Sequence, residues 1–394
     1  MTNLPQGWEW KSLGEICFIT DGTHKTPNYI ETGIPFLSVK NISKGFFDLS
    51  DVKYISLEEH NKLIKRAKPE FGDILICRIG TLGKAIKISL EFEFSIFVSL
   101  GLLKPKVKII SDYLVYFLNS CFIEEWINDN KVGGGTHTAK LNLNILEKCP
   151  IALPPLKEQE RIVGILDENF AKIDENIKIL EQDLLNLDEL MQSALQKAFN
   201  PLKDNAKENY KLPQGWKWKS LEEISENISA GGDKPKNCTE SKTAKNQIPV
   251  YANGVNNNGL VGYTDKATII KPSLTISARG TIGFVCIRKE PYFPIVRLIS
   301  LIPCENILCL HYLYFCLNFF IAKGEGSSIP QLTIPKFKSL QIPLPPLKEQ
   351  EQIAKHLDFV FEKTKALKEL YTKELKDYEE LKQSLLNKAF KGEL

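Results

Sequence analysis

Leu153-Pro-Pro-Leu-Lys-Glu-Gln-Glu160 occurs twice in this chain, returning residue for residue as Leu344-Pro-Pro-Leu-Lys-Glu-Gln-Glu351. Proline breaks a helix interior but is accommodated just before a helix or in its first turn, and glutamates suit the positive end of the helix dipole. Each copy therefore reads as the start of a helix, near residues 156 and 347. Downstream of the first, Leu166, Phe170, Ile173, Ile177, Leu180, Leu184, Leu187, Met191, Ala194 and Ala198 alternate steps of four and three, the spacing of a coiled-coil seam. Downstream of the second, Ile353, Leu357, Val360, Thr364, Leu367, Tyr371, Glu374, Tyr378, Leu381 and Leu385 keep that rhythm, flawed at Thr364 and Glu374. Each seam needs a partner, and a globular segment between the two makes an antiparallel pair within one chain the natural arrangement. A helix of about 42 residues is roughly 60 Å long at ~1.5 Å per residue.

Outward from these motifs the chain repeats again. Leu4-Pro-Gln-Gly-Trp-Glu-Trp-Lys-Ser-Leu-Gly-Glu-Ile16 returns as Leu212-Pro-Gln-Gly-Trp-Lys-Trp-Lys-Ser-Leu-Glu-Glu-Ile224. Arg78-Ile-Gly-Thr-Leu-Gly83 returns, one residue shorter, as Arg279-Gly-Thr-Ile-Gly283. Leu190-Met-Gln-Ser-Ala-Leu-Gln-Lys-Ala-Phe199 returns as Leu381-Lys-Gln-Ser-Leu-Leu-Asn-Lys-Ala-Phe390. Four landmarks thus recur in one order while the residues between the first and third have diverged, which points to a duplicated scaffold with two different surfaces. The divisions are a globular domain over 1–155, a helix over 156–200, a linker over 201–211, a second domain over 212–346 and a second helix over 347–394. Short alternating apolar runs such as Gly33 to Val39, Gly72 to Arg78, Gln247 to Tyr251 and Ser273 to Ser277 read as strands, mostly antiparallel; Tyr113 to Trp126 and Leu310 to Ala322 read as helical. The fold class is α+β: two mixed α/β globular domains joined by two long antiparallel coiled-coil helices, with a pseudo-twofold internal repeat.

With 394 residues, 43% hydrophobic, 25% charged and 10% aromatic, the chain has the composition of a globular protein able to bury a core in each domain. The first residues lack a basic stretch followed by an apolar run, and the most apolar segment, Leu310 to Ala322, is shorter than the roughly 20 residues a membrane span takes; a cytoplasmic protein without membrane contact is expected. The 9 cysteines form no CxxC pair and the 5 histidines never fall at ligand spacing, so no metal site is expected. Net charge is only +3, but residues 203–343 carry a surplus of about seven positive charges, residues 1–152 of about one, and residues 158–190 a deficit of about seven.

Several loops combine small, polar and basic residues. In the first domain they supply Thr23, His24, Lys25, Lys40, Asn41, Arg78, Thr81, Lys84, Thr136, His137 and Lys140; in the second, Lys234, Lys236, Asn253, Asn256, Asn257, Arg279, Thr281, Ser327 and Ser328. Arg and Lys pair with phosphates or guanine edges, Asn with adenine, and glycines let backbone N–H groups approach phosphate oxygens, so these are the candidate contacts to double-stranded DNA. The same Gly and Asn residues also serve turns. Trp8, Trp10, Trp216 and Trp218 lie in the repeated frame rather than the diverged part, which favours packing over base stacking. No Asn/Asp-Pro-Pro-aromatic motif is present, Gly80-Thr-Leu-Gly-Lys84 is too short for a phosphate-binding loop, and no lysine completes the nuclease-like spacing of Glu70 and Asp73; no catalytic residue is expected.

The ordered set Leu4-Pro-Gln-Gly-Trp8, Arg78-Ile-Gly-Thr-Leu-Gly83, Leu153-Pro-Pro-Leu-Lys-Glu-Gln159 and a heptad helix, occurring twice over nearly the whole chain, resembles the specificity subunits of Type I restriction-modification systems. The resemblance implies two target recognition domains, each reading half of a split DNA site, and helices that set the gap and dock partners. It implies two modification (methyltransferase) subunits carrying S-adenosylmethionine and restriction (motor nuclease) subunits carrying ATP and Mg, with no cofactor in this chain. The stretches Asp21-Gly-Thr-His24 and Asn253-Gly-Val-Asn256 look like different subtypes of such domains, so the half-sites are expected to differ.

Overall fold

The computed structural model describes residues 4–133, 139–199, 212–321 and 332–394, and the backbone of 324–325. The chain forms two compact units, residues 1–180 with 373–394 and residues 181–372.

In the first unit the leader strand Glu9–Ser12 pairs antiparallel with Pro150–Leu153, placing Trp10 opposite Ala152, so two of the repeated landmarks form one ribbon. Ser12 opens the short helix Leu13–Ile16, its N–H donating to Glu15 Oε2 at 2.6 Å in a capping box. The central sheet has the order Cys17–Asp21, Leu100–Pro105, Ile74–Cys77, Ala85–Lys87, all antiparallel. A smaller sheet orders Lys53–Ile55, Ile34–Leu37 and Ser95–Ile96, the last pair parallel. Because side chains alternate across a strand, Ile74 and Ile76 enter one core with Tyr113, Phe117, Ile162 and Leu166, while Leu75 and Cys77 enter another with Leu37, Phe94 and Leu102. Burial of both faces explains why this strand is an unbroken apolar run. The stretch Tyr113 to Trp126, read as one amphipathic segment, is two helices, Ser111–Leu118 and Cys121–Asn130. The break falls at Asn119, whose amide accepts the Ala85 N–H and donates to the Ala85 carbonyl at 3.1 and 2.8 Å.

The second unit repeats this plan. Lys217–Ser220 pairs with Gln341–Leu344, and the central sheet runs Ser225–Ala230, Ile299–Pro303, Ser273–Ile276, Val285–Arg288. The smaller sheet runs Leu260–Thr264, Ile248–Tyr251, Phe293–Pro294, again with one parallel pair. Helix Leu310–Phe320 packs on the sheet, and Tyr312 donates from its hydroxyl to Pro343 O at 2.6 Å as Tyr113 does to Ala152 O at 2.5 Å.

The long helices are Leu156–Phe199 and Leu347–Lys391, 44 and 45 residues. In the repeated Lys-Glu-Gln, Gln159 and Gln350 are buried; each accepts the N–H that precedes its domain's helix, Ile110 or Cys309, at 2.9 Å and donates to Pro154 O or Pro345 O. The helices pack antiparallel within each unit: Asp174 pairs with Lys382 in the first and Asp188 with Lys368 in the second. Leu166, Ile173, Leu180 and Leu187 are buried in the seam, as is Leu357; Phe170, Ile177, Leu184, Ile353, Val360, Tyr371 and Leu385 are partly buried. Two seam expectations are corrected: Leu367 and Leu381 are 38% and 44% exposed, while Thr364, read as a flaw, is 2% exposed and returns its hydroxyl to Val360 O. Likewise Leu195 and Phe199, not Ala194 and Ala198, are the deeply buried residues at the end of the first long helix. A nearly straight helix drifts by ~20° per heptad, so after a few heptads the buried stripe lies one residue further on.

Candidate nucleic-acid interface

In the first domain several loops meet at one end of the two sheets. Gly22 N–H donates to Leu100 O, Thr23 bridges Phe97, Val39 N–H donates to Ser99 Oγ, and Arg78 N–H donates to Ser99 O. Lys140 bridges both Ile79 and Val132. These contacts bring together Thr23, His24 and Lys25, the turn of Lys40 and Asn41, the turn from Arg78 to Thr81, and Lys140. Lys84 is set apart, in a groove with Lys44, Asp112, Tyr116 and Asp174. Thr136 and His137 lie outside the described residues.

The gathered residues differ in what they have to offer a ligand. His24, Lys25, Lys40, Thr81 and Lys140 are exposed. Thr23 Oγ1 is spent on a local turn, donating to Lys25 O at 3.2 Å. Asn41 is buried and caps a 3-10 turn, accepting the Ser38 N–H at 2.9 Å and donating to Asp48 O at 3.0 Å. Arg78 is buried too, donating from Nε to Leu141 O at 2.9 Å and from Nη1 to Asp21 and to Val98 O. Asn41 and Arg78 therefore shape the surface from beneath.

Sequence reasoning missed the residue that organises this end. The Asp21 side chain is only 2% exposed, yet its carboxylate receives Arg78 on Oδ2, Arg66 on Oδ1 and His24 Nε2 on Oδ2 at 3.1 Å. Burial pushes the Asp21 carboxyl up, but the hydrogen bonds from Arg66 and Arg78 outweigh it and hold the group below the usual carboxylate range. Arg66 comes from the turn after helix Leu57–Leu63 and donates a further bond from Nε to Asp21 O at 3.3 Å. No local motif announces a partner 45 positions away.

The second domain uses equivalent places differently. Its turns converge likewise: Gly231 N–H donates to Leu298 O, Gly232 bridges Ile295, and Val296 N–H donates to Gly232 O. Asn253 is structural, accepting the Ala278 N–H at 2.8 Å and donating to Val296 O at 2.6 Å. Lys234, Lys236, Asn256 and Asn257 are exposed. Asn257 and Asn258 have φ of 48° and 52°, the left-handed region that Asn tolerates. Arg288, with its guanidinium 3.5 Å over the Tyr251 ring, fixes that turn by donating to Asn258 O at 2.5 Å. Thr281 pairs with Glu325 in a two-residue bridge, and Ser327 and Ser328 lie outside the described residues.

The Arg-Gly-Thr landmark needs a correction. Gly83 N–H donates to Cys77 O and Gly283 N–H to Ser277 O; the carbonyl of Arg78 receives Leu141 N–H and that of Ala278 receives Leu332 N–H. The two turns are thus equally long, Arg78 corresponds to Ala278, and Arg279 stands where the first domain has Ile79. The conserved part is Gly-Thr-x-Gly, whose glycines at 80, 83, 280 and 283 all have positive φ. A Cβ on Gly83 would lie 2.3 Å from Ile127 Cδ1, so both backbone angle and space demand glycine there. The leader indoles serve packing: Trp10 lies against Phe122, Trp216 donates to Glu349 Oε1 at 3.1 Å, and Trp218 meets Phe320 edge-on.

The same scaffold is built twice, with different polar side chains at corresponding ends, and each copy leads into a long helix. Among the described residues no group of His, Cys, Asp and Glu is placed to hold a metal, and no helix is long and apolar enough to cross a membrane. The chain belongs to the type I restriction modification DNA specificity family, whose model matches residues 5–183 and 213–377. It is 30% identical over 272 residues to a putative type I specificity subunit of Mycoplasma pneumoniae, covering 68% of this chain and 69% of that one. It is 24% identical over 412 residues to the putative type I restriction enzyme MjaX specificity subunit of Methanocaldococcus jannaschii, covering 99% and 94%. Among solved structures, a chain from a study of complex assembly and conformational transition of the type I R-M system aligns with a TM-score of 0.82 at 22% identity over the full length of both. The HsdS subunit of Thermoanaerobacter tengcongensis aligns with a TM-score of 0.59 at 22% identity, over 100% of this chain and 99% of that one. This is a type I specificity subunit and not an enzyme.

Proposed function

We propose that this subunit reads a split site on double-stranded DNA, residues 1–155 taking one half and residues 212–346 the other, and directs the modification and restriction subunits of a type I complex to it. The observation that carries the proposal is the shared strand order of the two domains combined with different side chains at equivalent loop ends. A frame kept while its contact residues change is what reading two unlike half-sites requires. The long helices would set the gap between half-sites, and the acidic surface of residues 158–190 would dock two modification subunits. S-adenosylmethionine, ATP and Mg would belong to the partner subunits, none to this chain, and the complex would work in the cytoplasm, away from membranes.

Mapping methylated adenines in the host genome identifies the site. Replacing residues 212–343 by the same segment of a relative should change one half-site and leave the other intact; a change in both halves would refute modular reading. In a gel-shift assay the complex with its modification subunits should prefer the mapped duplex, and binding indifferent to sequence would leave only an adaptor role.

A further inference from the structure

We infer that Arg66, His24 and Lys25, organised by the buried Asp21, form a binding site for a backbone phosphodiester of duplex DNA that the first domain possesses and the second lacks. This rests on the functional reading above and adds to it a specific contact and an asymmetry between the two readers. Thr23, His24, Lys25, Lys62, Leu63 and Arg66 line a recess of about 350 Å³ at the loop end of the domain. The Arg66 side chain is 55% exposed and uses Nε and Nη2 to grip Asp21, while its Nη1 has no partner among the described residues. His24 is 61% exposed, anchored through the same carboxylate. Lys25 is exposed with no acidic partner among the described residues, whereas Lys62 is already paired with Glu58 at 2.7 Å. A fixed guanidinium beside an imidazole and an ammonium suits a tetrahedral dianionic or monoanionic oxygen cluster, and at the reading end of a DNA-binding domain that cluster is a phosphodiester.

The second domain supplies the decisive comparison. Asp21 stands opposite Gly101 and Ala230 opposite Ile299, and these strand partners correspond through the shared register of the central sheet. Asp21 therefore becomes Ala230, Arg78 becomes Ala278, and the position of His24 carries Asp233. The helix that delivers Arg66 is missing as well: Ile55 is followed by that helix before Ile74, whereas the chain from Thr264 reaches Ser273 without one. Asp21, Arg78, His24 and Arg66 are thus absent together from a domain that keeps the same sheets, while Lys25 alone has a counterpart, the exposed Lys234. The fold does not need this buried charge cluster, which carries a desolvation cost, so its presence in the first domain reflects a contact made there.

The test uses the complex with its modification subunits, the mapped duplex and a scrambled duplex, over a salt series. Arg66→Ala should weaken binding to both duplexes on the order of tenfold and reduce the slope of log K against log salt by about one. Lys25→Ala, which removes an exposed side chain and leaves the fold intact, should lower the slope in the same direction. An unchanged slope in both variants, or a loss confined to the mapped duplex, overturns the phosphate assignment while the functional reading stands. Failure of the unaltered complex to prefer its mapped duplex overturns that reading and this inference with it.

Discussion

Asp21 and Arg78 make a buried ion pair where the second domain has Ala230 and Ala278. Removing one partner of such a pair strands the other charge, so Asp21→Ala should destabilise the first unit by ~3–5 kcal/mol. Asp21→Ala with Arg78→Ala, which restores the composition of the second copy, should cost clearly less than Asp21→Ala alone; paired urea melts decide this. Acid titration follows from the same carboxylate. Its folded value lies below the unfolded ~3.9, so its stabilisation is complete above that pH and fades as pH falls toward the folded value. Acid unfolding of the native chain should therefore be steeper below about pH 4 than that of the double variant, and equal steepness would contradict the assignment. At this scale the sequence displayed the loop chemistry but not its economy of contacts: Asn41, Asn253 and Arg78 have the right groups for DNA and spend them inward. Arg66 was invisible because its partner is distant along the chain.

At the scale of elements the repeated motifs were readable because their physics is local. Proline followed by glutamate marked the helix starts, and the four-three rhythm marked the buried stripe through Leu166, Ile173, Leu180 and Leu187. What the rhythm could not carry was its own drift, which exposes Leu367 and Leu381 and brings Leu195 and Phe199 inward. Leu166→Ala, at a site with no exposure, should cost ~2–5 kcal/mol. Leu381→Ala should stay within ~0.5 kcal/mol, and equal losses in thermal melts would mean that the heptad extrapolation was right after all. The strand Ile74–Cys77 was legible as a short apolar run between turn residues, but not which of its side chains face which core, since both faces are covered and the pattern lacks the alternation of a half-buried strand.

For the whole molecule the doubled landmarks sufficed to give the α+β class and the twofold plan, because a duplicated frame leaves its signature in order as well as in residues. The equivalence of the loops was legible only in hydrogen-bond register, which moved Arg279 away from Arg78. A chain carrying Gln159→Ala should lose hydrogen-exchange protection at the Ile110 amide, and Gln350→Ala at Cys309, each by the ~1–3 kcal/mol of an abandoned buried donor. Protection unchanged in both would show the glutamines to be incidental.

Those two glutamines have a further consequence for descent by exchange. On the domain side they address main-chain atoms, Ile110 N and Cys309 N, and the tyrosines Tyr113 and Tyr312 also end on carbonyls, at Ala152 and Pro343. The two glutamine bonds end on peptide groups, so a foreign domain with the same backbone meets them ready-made, whereas its tyrosine and the apolar side chains that pack on Ile162, Leu166 or Leu357 have to match in kind.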